Sequence, residues 1–278
     1  MSKNRDELVS VYMPTHNRKF LAKRAVESVL NQSYKNIELI VVDDYSTDGT
    51  YELLSEVEDE RLFVLRNDKP MGACYSRNKA ISFATGKFIT GLDDDDFFDS
   101  NRIKVFIDNF DEKYSFLYDS SKEHNNAVCY KEPLSTRVIG LNDILYQNIG
   151  NQVFSLRLRF LEVNGFDEEF VSSQDYDLWT RLIIRYGDAL KIPYATYCYD
   201  VQHGGARIST SKKAKSGAAL FLRKYHTYMN EEHVVCHYIR LTQYGEFLSA
   251  SMLKDVIYRR GLLEGIKCLV RSIYVRLK

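Results

Sequence analysis

Hydrophobic positions change period repeatedly along the first hundred residues. Leu8–Met13 is a short β-rich run that stops at Pro14, and Ile37–Val42 is a near-continuous apolar run. Such a run marks a central parallel strand covered on both faces. Leu62–Leu65 and Phe88–Leu92 read as two more strands. Between them the period becomes helical: Asn17 caps a helix through Gln32 with Ala22, Val26, Val29 and Leu30 on one face, followed by helices over Thr50–Glu58 and Ala73–Ala84. This alternation predicts a parallel α/β sheet with right-handed crossovers. From Asn101 the pattern is mixed. It gives a helix over Ile103–Phe110, strands over Ser115–Tyr118, Ala127–Tyr130 and Val153–Leu156, a helix over Tyr176–Tyr186 and a last strand over Ala189–Tyr199. Beyond Gly204-Gly205 the chain reads as helical. The expected class is α/β, a mostly parallel sheet flanked by helices, with a C-terminal helical extension.

Polar residues fall where these strands end: Thr15 after the first, Asp43-Asp44 after the second and Asp93-Asp94-Asp95-Asp96 after the fourth. Open α/β sheets bind ligands beyond the carboxyl ends of their strands. The aspartate run offers only oxygen ligands, which suit Mg²⁺ or Mn²⁺, and alternate residues of an extended segment share a face, so Asp93 and Asp95 point together. Phe97-Phe98 exclude a calcium loop of the EF-hand type. No glycine-rich phosphate cradle follows the first strand, so a nucleotide bound here would be held by side chains and a metal.

At about 150 residues per domain, 278 residues make one large domain or one domain with an appendage. A hydrophobic share of 45% with 27% charged residues excludes wholesale disorder. Five scattered cysteines without a C-x-x-C pair disfavour disulfides and zinc. No apolar stretch approaches the roughly 18 residues of a membrane span, and Met1–Asp6 lead into no signal-peptide core, so a cytoplasmic protein is expected. Zero net charge hides a division: residues 1–200 carry 24 Lys/Arg against 33 Asp/Glu, and residues 201–278 carry 14 against 5. Near the end, Leu262, Ile266, Leu269, Ile273 and Leu277 form one helical stripe beside Arg260, Lys267, Arg271 and Lys278. Two readings stay open for it, packing on protein and lying peripherally on an anionic membrane surface, with the second favoured. No recognition element for nucleic acid accompanies the basic residues.

Five blocks follow in order: Val9–Arg18 (VSVYMPTHNR), Ser28–Tyr34, Ile37–Thr50 (IELIVVDDYSTDGT), Gly72–Asn78 and Ala84–Asp96 (ATGKFITGLDDDD), with a later block at Val163–Leu182. The series resembles family 2 of the inverting nucleotide-sugar glycosyltransferases, of the bacterial surface-polysaccharide type, over residues 8–210. The resemblance implies a GT-A-like domain over 1–210. Its 1–100 half would bind nucleotide sugar and its 101–210 half the acceptor, with 211–278 a basic helical extension. It implies transfer of a hexose, from a UDP-sugar by preference, to the hydroxyl of a glycan or lipid-linked oligosaccharide.

The resemblance also distributes roles. Thr15, Asn17, Asp44, Arg77, Asp93 and Asp94 would contact the nucleotide sugar. Asp95 would hold Mn²⁺ or Mg²⁺, with His203 and Arg207 as further candidates for the metal or diphosphate. Asp175 would be the catalytic base; here it follows Gln174, where the family usually has Glu. Gly165 and Phe166-Asp167-Glu168 would shape the loop under the sugar. Structural alternatives stand beside these roles: Asp43 closing a turn, Arg77 paired with Asp44, Asp96 or Asp175 capping a helix, and Trp179 in the core rather than stacked on sugar. Rival functions are nucleotidyl transfer and a non-catalytic nucleotide-binding scaffold.

Overall fold

The computed structural model describes residues 6–124, 128–130, 134–150, 152–200 and 212–277. In chain order the elements are β1 (Val9–Thr15), α1 (Lys19–Leu30), β2 (Ile37–Asp43), α2 (Thr50–Ser55), β3 (Leu62–Arg66), α3 (Ala73–Phe83) and β4 (Phe88–Gly91). Then come β5 (Phe97–Phe98), α4 (Arg102–Asn109), β6 (Leu117–His124), β7 (Val128–Tyr130), β8 (Arg137–Ile139) and α5 (Leu141–Ile144). Next are β9 (Phe154–Leu156), α6 (Arg157–Glu162), α7 (Gln174–Tyr186) and β10 (Ala189–Asp200), and last the helices α8 (Lys212–Tyr225), α9 (Glu231–Gln243), α10 (Ala250–Arg260) and α11 (Leu262–Leu277).

Among the described residues one sheet runs β3-β2-β1-β4-β9-β6-β10-β5, with β7 beside β6 and β8 beside β10. The β3-β2-β1-β4 half is parallel throughout, and β6 and β10 are also parallel. β9 enters antiparallel between β4 and β6. Every residue of β1 and β2 is buried, as their apolar runs require. Alternate residues serve opposite faces. Val9, Val11 and Met13 join Ala22, Val26 and Val29 of α1 and Phe106 of α4 in one core, where Phe106 and Phe88 both stack on Phe154. Tyr12 points the other way, to Phe160 and Phe166. Trp179 lies there too, fully buried against Phe116, Phe160 and Phe166, so it is a core residue and not a sugar platform.

The chain divides into two compact units: residues 1–141, 150–167 and 178–204, which hold the sheet, and residues 142–149, 168–177 and 205–278, which hold the last helices. In the second unit Tyr176 stacks on Phe221 with centroids 3.6 Å apart, and His237 stacks beside Phe221. Asn230 and His233 form a reciprocal capping box that starts α9. Val235, Val256 and Cys268 join α9, α10 and α11. Gly265 is required there, because a Cβ would stand 2.5 Å from Ile257 Cγ1. Among the described side chains, Gly265 and Cys268 are thus the residues of α11 turned inward. The predicted stripe residues Leu262 and Ile266 are 65% and 48% exposed, and Leu263 and Val270 are exposed beside them. No described helix is long and apolar enough to cross a membrane.

Three local expectations fail. Asn17 does not cap α1: it has φ +51°, and the helix begins at Lys19 behind Arg18. The helix expected over Thr50–Glu58 ends at Ser55. Asp96 caps nothing, since Asn101 occupies the cap position of α4.

Candidate active site

Parallel register puts the predicted polar residues at one edge of the sheet. Thr15 pairs across from Asp43, and Tyr12 across from Gly91, so the chain ends of β2, β1 and β4 are neighbours. Gly91 is the only residue type that fits at the last of these ends: a Cβ would lie 2.4 Å from the Tyr12 ring and 2.5 Å from Gln152 Oε1.

The loops after β1 and β2 are stapled together. Asn17 donates its backbone N–H to Ser46 Oγ (2.8 Å), and its Oδ1 accepts from the Thr47 backbone N–H (2.8 Å). Its left-handed backbone is one that asparagine tolerates. Asp43 closes a turn by accepting from Ser46 N–H at 3.0 Å. Asp44 is buried and accepts from the N–H groups of Met71 and Gly72 (2.7 Å each) and from Asn67 Nδ2 (2.8 Å). These bonds shape the entry to α3, which carries Arg77. An ionised carboxylate offers about four acceptor positions. Three of those of Asp44 serve the loop, and one more suffices for a nucleobase N–H.

The segment after β4 is not extended as expected but turns, with Asp96 N–H bonded to the Asp93 carbonyl at 3.0 Å, so Asp94 and Asp95, rather than Asp93 and Asp95, share a partner. Asp93 accepts from Arg77 Nη2 at 2.9 Å and Gln152 Nε2 at 3.3 Å, so Arg77 pairs with Asp93 and not with Asp44. Asp94 accepts from Thr15 Oγ1 at 2.8 Å and from Arg18 Nη1 at 3.1 Å. Asp95 faces the same Arg18 Nη1 at 2.5 Å, while its carbonyl accepts from Arg24 Nη2 at 2.7 Å. Asp96 accepts from Asp200 N–H at 3.1 Å. Burial pushes the Asp96 carboxyl up to about 8, with the neighbouring charges of Asp93 and Asp95 adding to it. Near neutral pH it is mostly uncharged and structural. Burial raises Asp94 to about 6, against the pull of Arg18.

Among the described residues no group of three or more His, Cys, Asp or Glu side chains is arranged to hold a metal ion. The donor set still fits Mn²⁺ or Mg²⁺: its oxygens are hard, and a guanidinium already sits on the Asp94 and Asp95 carboxylates as a cation. Mg²⁺ sites of this kind use one or two carboxylates and take the remaining oxygens from substrate phosphates and water. His203 and Arg207 lie outside the described residues.

Within the second unit, Asp175 is the second residue of α7, and Ser173 precedes the helix with φ +59°. Asp175 is therefore inside the first turn rather than its cap. Its Oδ2 accepts from Asn148 Nδ2 at 2.9 Å. The turn is anchored by Tyr176 on Phe221 and by Asp177, which accepts from Tyr225 Oη and Lys224 Nζ at 2.7 Å each. In the first unit, Gly165 has φ +60°, and its loop is locked by Asn78, which accepts from Phe166 N–H and donates to its carbonyl. Arg18, Gln152 and Asn148 join these carboxylates in addition to the residues expected from the sequence. Only Arg18 carried a signal, being a cation directly after the first strand's loop.

The model of the family described as Glycosyl transferase family 2 matches residues 10–164. The chain belongs to that family. It is accordingly a nucleotide-sugar-dependent glycosyltransferase of an inverting family, and nucleotidyl transfer is set aside. A relative from Escherichia coli (strain K12), named "Putative colanic acid biosynthesis glycosyl transferase WcaA", is 39% identical over 236 residues, 78% of this chain and 81% of that protein. Another from Escherichia coli, named UDP-Glc:alpha-D-GlcNAc-diphosphoundecaprenol beta-1,3-glucosyltransferase WfgD, is 34% identical over 64% of this chain and 70% of that one. Among solved structures, S. aureus TarS 1–349 aligns with a TM-score of 0.67 at 18% identity, over 94% of this chain and 80% of that one. The mannosyltransferase PcManGT from Pyrobaculum calidifontis, in complex with GDP-Man and Mn²⁺, aligns with a TM-score of 0.58 at 18% identity, over 96% and 73%. These likenesses show the GT-A fold that the family resemblance implied.

Proposed function

We propose that the protein transfers a hexose from a UDP-sugar to a hydroxyl of a lipid-linked glycan during surface-polysaccharide synthesis. The observation that carries the reading is the row of carboxylates after β4, tied to the adjoining strand end by the bond from Thr15 to Asp94. The names of relatives support the donor and acceptor classes: WfgD is named for UDP-Glc and a diphosphoundecaprenol-linked sugar, and a Campylobacter jejuni relative for a PP-undecaprenol-linked one. In this reading residues up to about 100 serve the donor, 101–210 the acceptor and 211–278 the membrane surface.

Thr15, Asn17, Asp44 and Arg77 would hold the nucleotide, Asp44 by accepting the uracil N–H. Asp93 and Asp94 would face the ribose and diphosphate, and Asp95 would hold Mn²⁺ or Mg²⁺. That ion would supply positive charge where negative charge develops on the leaving diphosphate. Asp175 would accept the acceptor's hydroxyl proton as the new bond forms. Asn148 holds Oδ2 of this carboxylate, which would leave Oδ1 for that task. A single displacement by the acceptor oxygen inverts the anomeric carbon.

The test is UDP release from UDP-sugars with a lipid-linked acceptor. Asp175→Asn should lower turnover by roughly 10²–10⁴-fold, the usual contribution of a general base, with UDP affinity retained. Turnover near the wild-type value would remove Asp175 from the mechanism. For the membrane surface, the exposed Leu262, Leu263, Ile266 and Val270 support a peripheral position on the inner face of the cytoplasmic membrane. Leu263→Asp/Ile266→Asp should lose sedimentation with anionic phosphatidylglycerol vesicles; unchanged sedimentation would oppose that position.

A further inference from the structure

Three arginines serve the loop after β4 among the described residues, and they are not equivalent. Arg77 bonds the Asp93 carboxylate. Arg24 pairs with Asp200 and holds the Asp95 backbone carbonyl. Arg18 is the one on the Asp95 carboxylate itself, with Nη1 2.5 Å from Asp95 Oδ2 and 3.1 Å from Asp94 Oδ1. Its tether to the fold is through the backbone: the N–H donates to Thr50 Oγ1 at 3.3 Å, and the carbonyl accepts from Ala22 N–H at 2.8 Å. The long side chain can leave the carboxylates without moving α1.

We infer that Arg18 is a resident counter-cation that couples divalent metal to nucleoside diphosphate. The inference rests on Asp95 being the metal residue proposed above. A guanidinium and a divalent ion on the Asp95 carboxylate repel each other as like charges a few ångströms apart, so without nucleotide the ion competes with Arg18 for it. A diphosphate changes the balance. It offers the released guanidinium a bidentate anion, the geometry that arginine matches best. Metal and diphosphate then favour each other's binding, and by linkage the factor is the same in both directions. The arrangement keeps the aspartates neutralised in the free enzyme and opens them to metal when a donor arrives.

Mn²⁺ affinity measured by electron paramagnetic resonance, with and without saturating UDP, tests this directly. Wild type should bind Mn²⁺ at least tenfold more tightly with UDP than without it. Arg18→Gln should tighten nucleotide-free Mn²⁺ binding about tenfold and weaken UDP binding, so that the coupling shrinks toward unity. Arg18→Lys, which keeps the charge, should keep the weak nucleotide-free Mn²⁺ binding of wild type and guards against misfolding of the glutamine variant. If wild type binds Mn²⁺ with UDP but Arg18→Gln leaves nucleotide-free Mn²⁺ affinity unchanged or weaker, the coupling role is overturned and the proposed function stands. If wild type binds UDP yet no Mn²⁺ under any condition, the metal assignment of Asp95 fails and this inference with it.

Discussion

Replacing Arg102 by Leu should cost about 3–5 kcal/mol of stability, the usual penalty for stripping a buried charge of its partner. Arg102 and Asp119 are both completely buried, with Nη1 2.8 Å from Asp119 Oδ1. The same nitrogen donates to Thr196 Oγ1 at 2.9 Å, and Nη2 donates to the Gln152 carbonyl at 2.9 Å. The guanidinium carbon also lies 4.6 Å from the Phe106 ring centroid and 4.7 Å from that of Phe98. Leu fills part of that volume but takes the guanidinium away from the buried Asp119 carboxyl, which Thr196 N–H and Oγ1 also meet. Native domains hold roughly 5–15 kcal/mol in all, so the loss is a large fraction. Urea unfolding can be followed by fluorescence of Trp179, the chain's single tryptophan, buried in the sheet-bearing unit. With a slope of about 2–3 kcal/mol/M, the midpoint should fall by roughly 1–2.5 M. Arg102→Leu/Asp119→Leu should recover much of the loss, because it removes both desolvated charges together. A single variant costing under about 1 kcal/mol, or a double variant equal to the sum of its parts, would refute this reasoning.

Other outcomes follow from the same contacts. Burial, with Arg240 adding, pushes His237 down to about 4, while an unfolded histidine titrates near 6.5. The stability it contributes is therefore present above pH 6.5 and lost as pH falls toward 4, with a slope of at most about 1.4 kcal/mol per pH unit; His237→Gln should flatten this acid limb in far-UV circular dichroism melts. Asn148→Asp sets a second carboxylate beside Asp175, so the acid limb of the kcat/KM profile should move to higher pH, and an unmoved limb would show that the 2.9 Å contact does not tune the base. Gly91→Ala forces a Cβ into Tyr12 and Gln152 and should cost about 1–3 kcal/mol in thermal unfolding, with no loss contradicting the close approach.

Elements set by local pattern were legible in the sequence. The apolar runs at Ile37–Val42 and Phe88–Leu92 become buried strands within a residue of the expected ends, and the acidic residues beyond them meet at one edge. Elements made by distant pairing were not. β5 is only Phe97–Phe98, ordered by its antiparallel pairing with Tyr197 and Cys198 a hundred residues later. Arg102 reads as a surface charge at a helix start until Asp119 and Thr196 enclose it. Asn17 has the composition of a cap, yet the staple to Ser46 and Thr47 takes it over. The same holds in the site. Strand ends announced Asp44 and Asp93–Asp95, whereas Arg18, Gln152 and Asn148 gain meaning only from the carboxylates they touch.

Anomalous diffraction from crystals grown with Mn²⁺ and UDP reads the proposed metal site itself. A manganese peak is expected within coordination distance of an Asp95 carboxylate oxygen, about 2.0–2.3 Å, with diphosphate oxygens completing the shell and uracil against Asp44. A peak bound elsewhere, with UDP seated away from the ends of β1, β2 and β4, would contradict it.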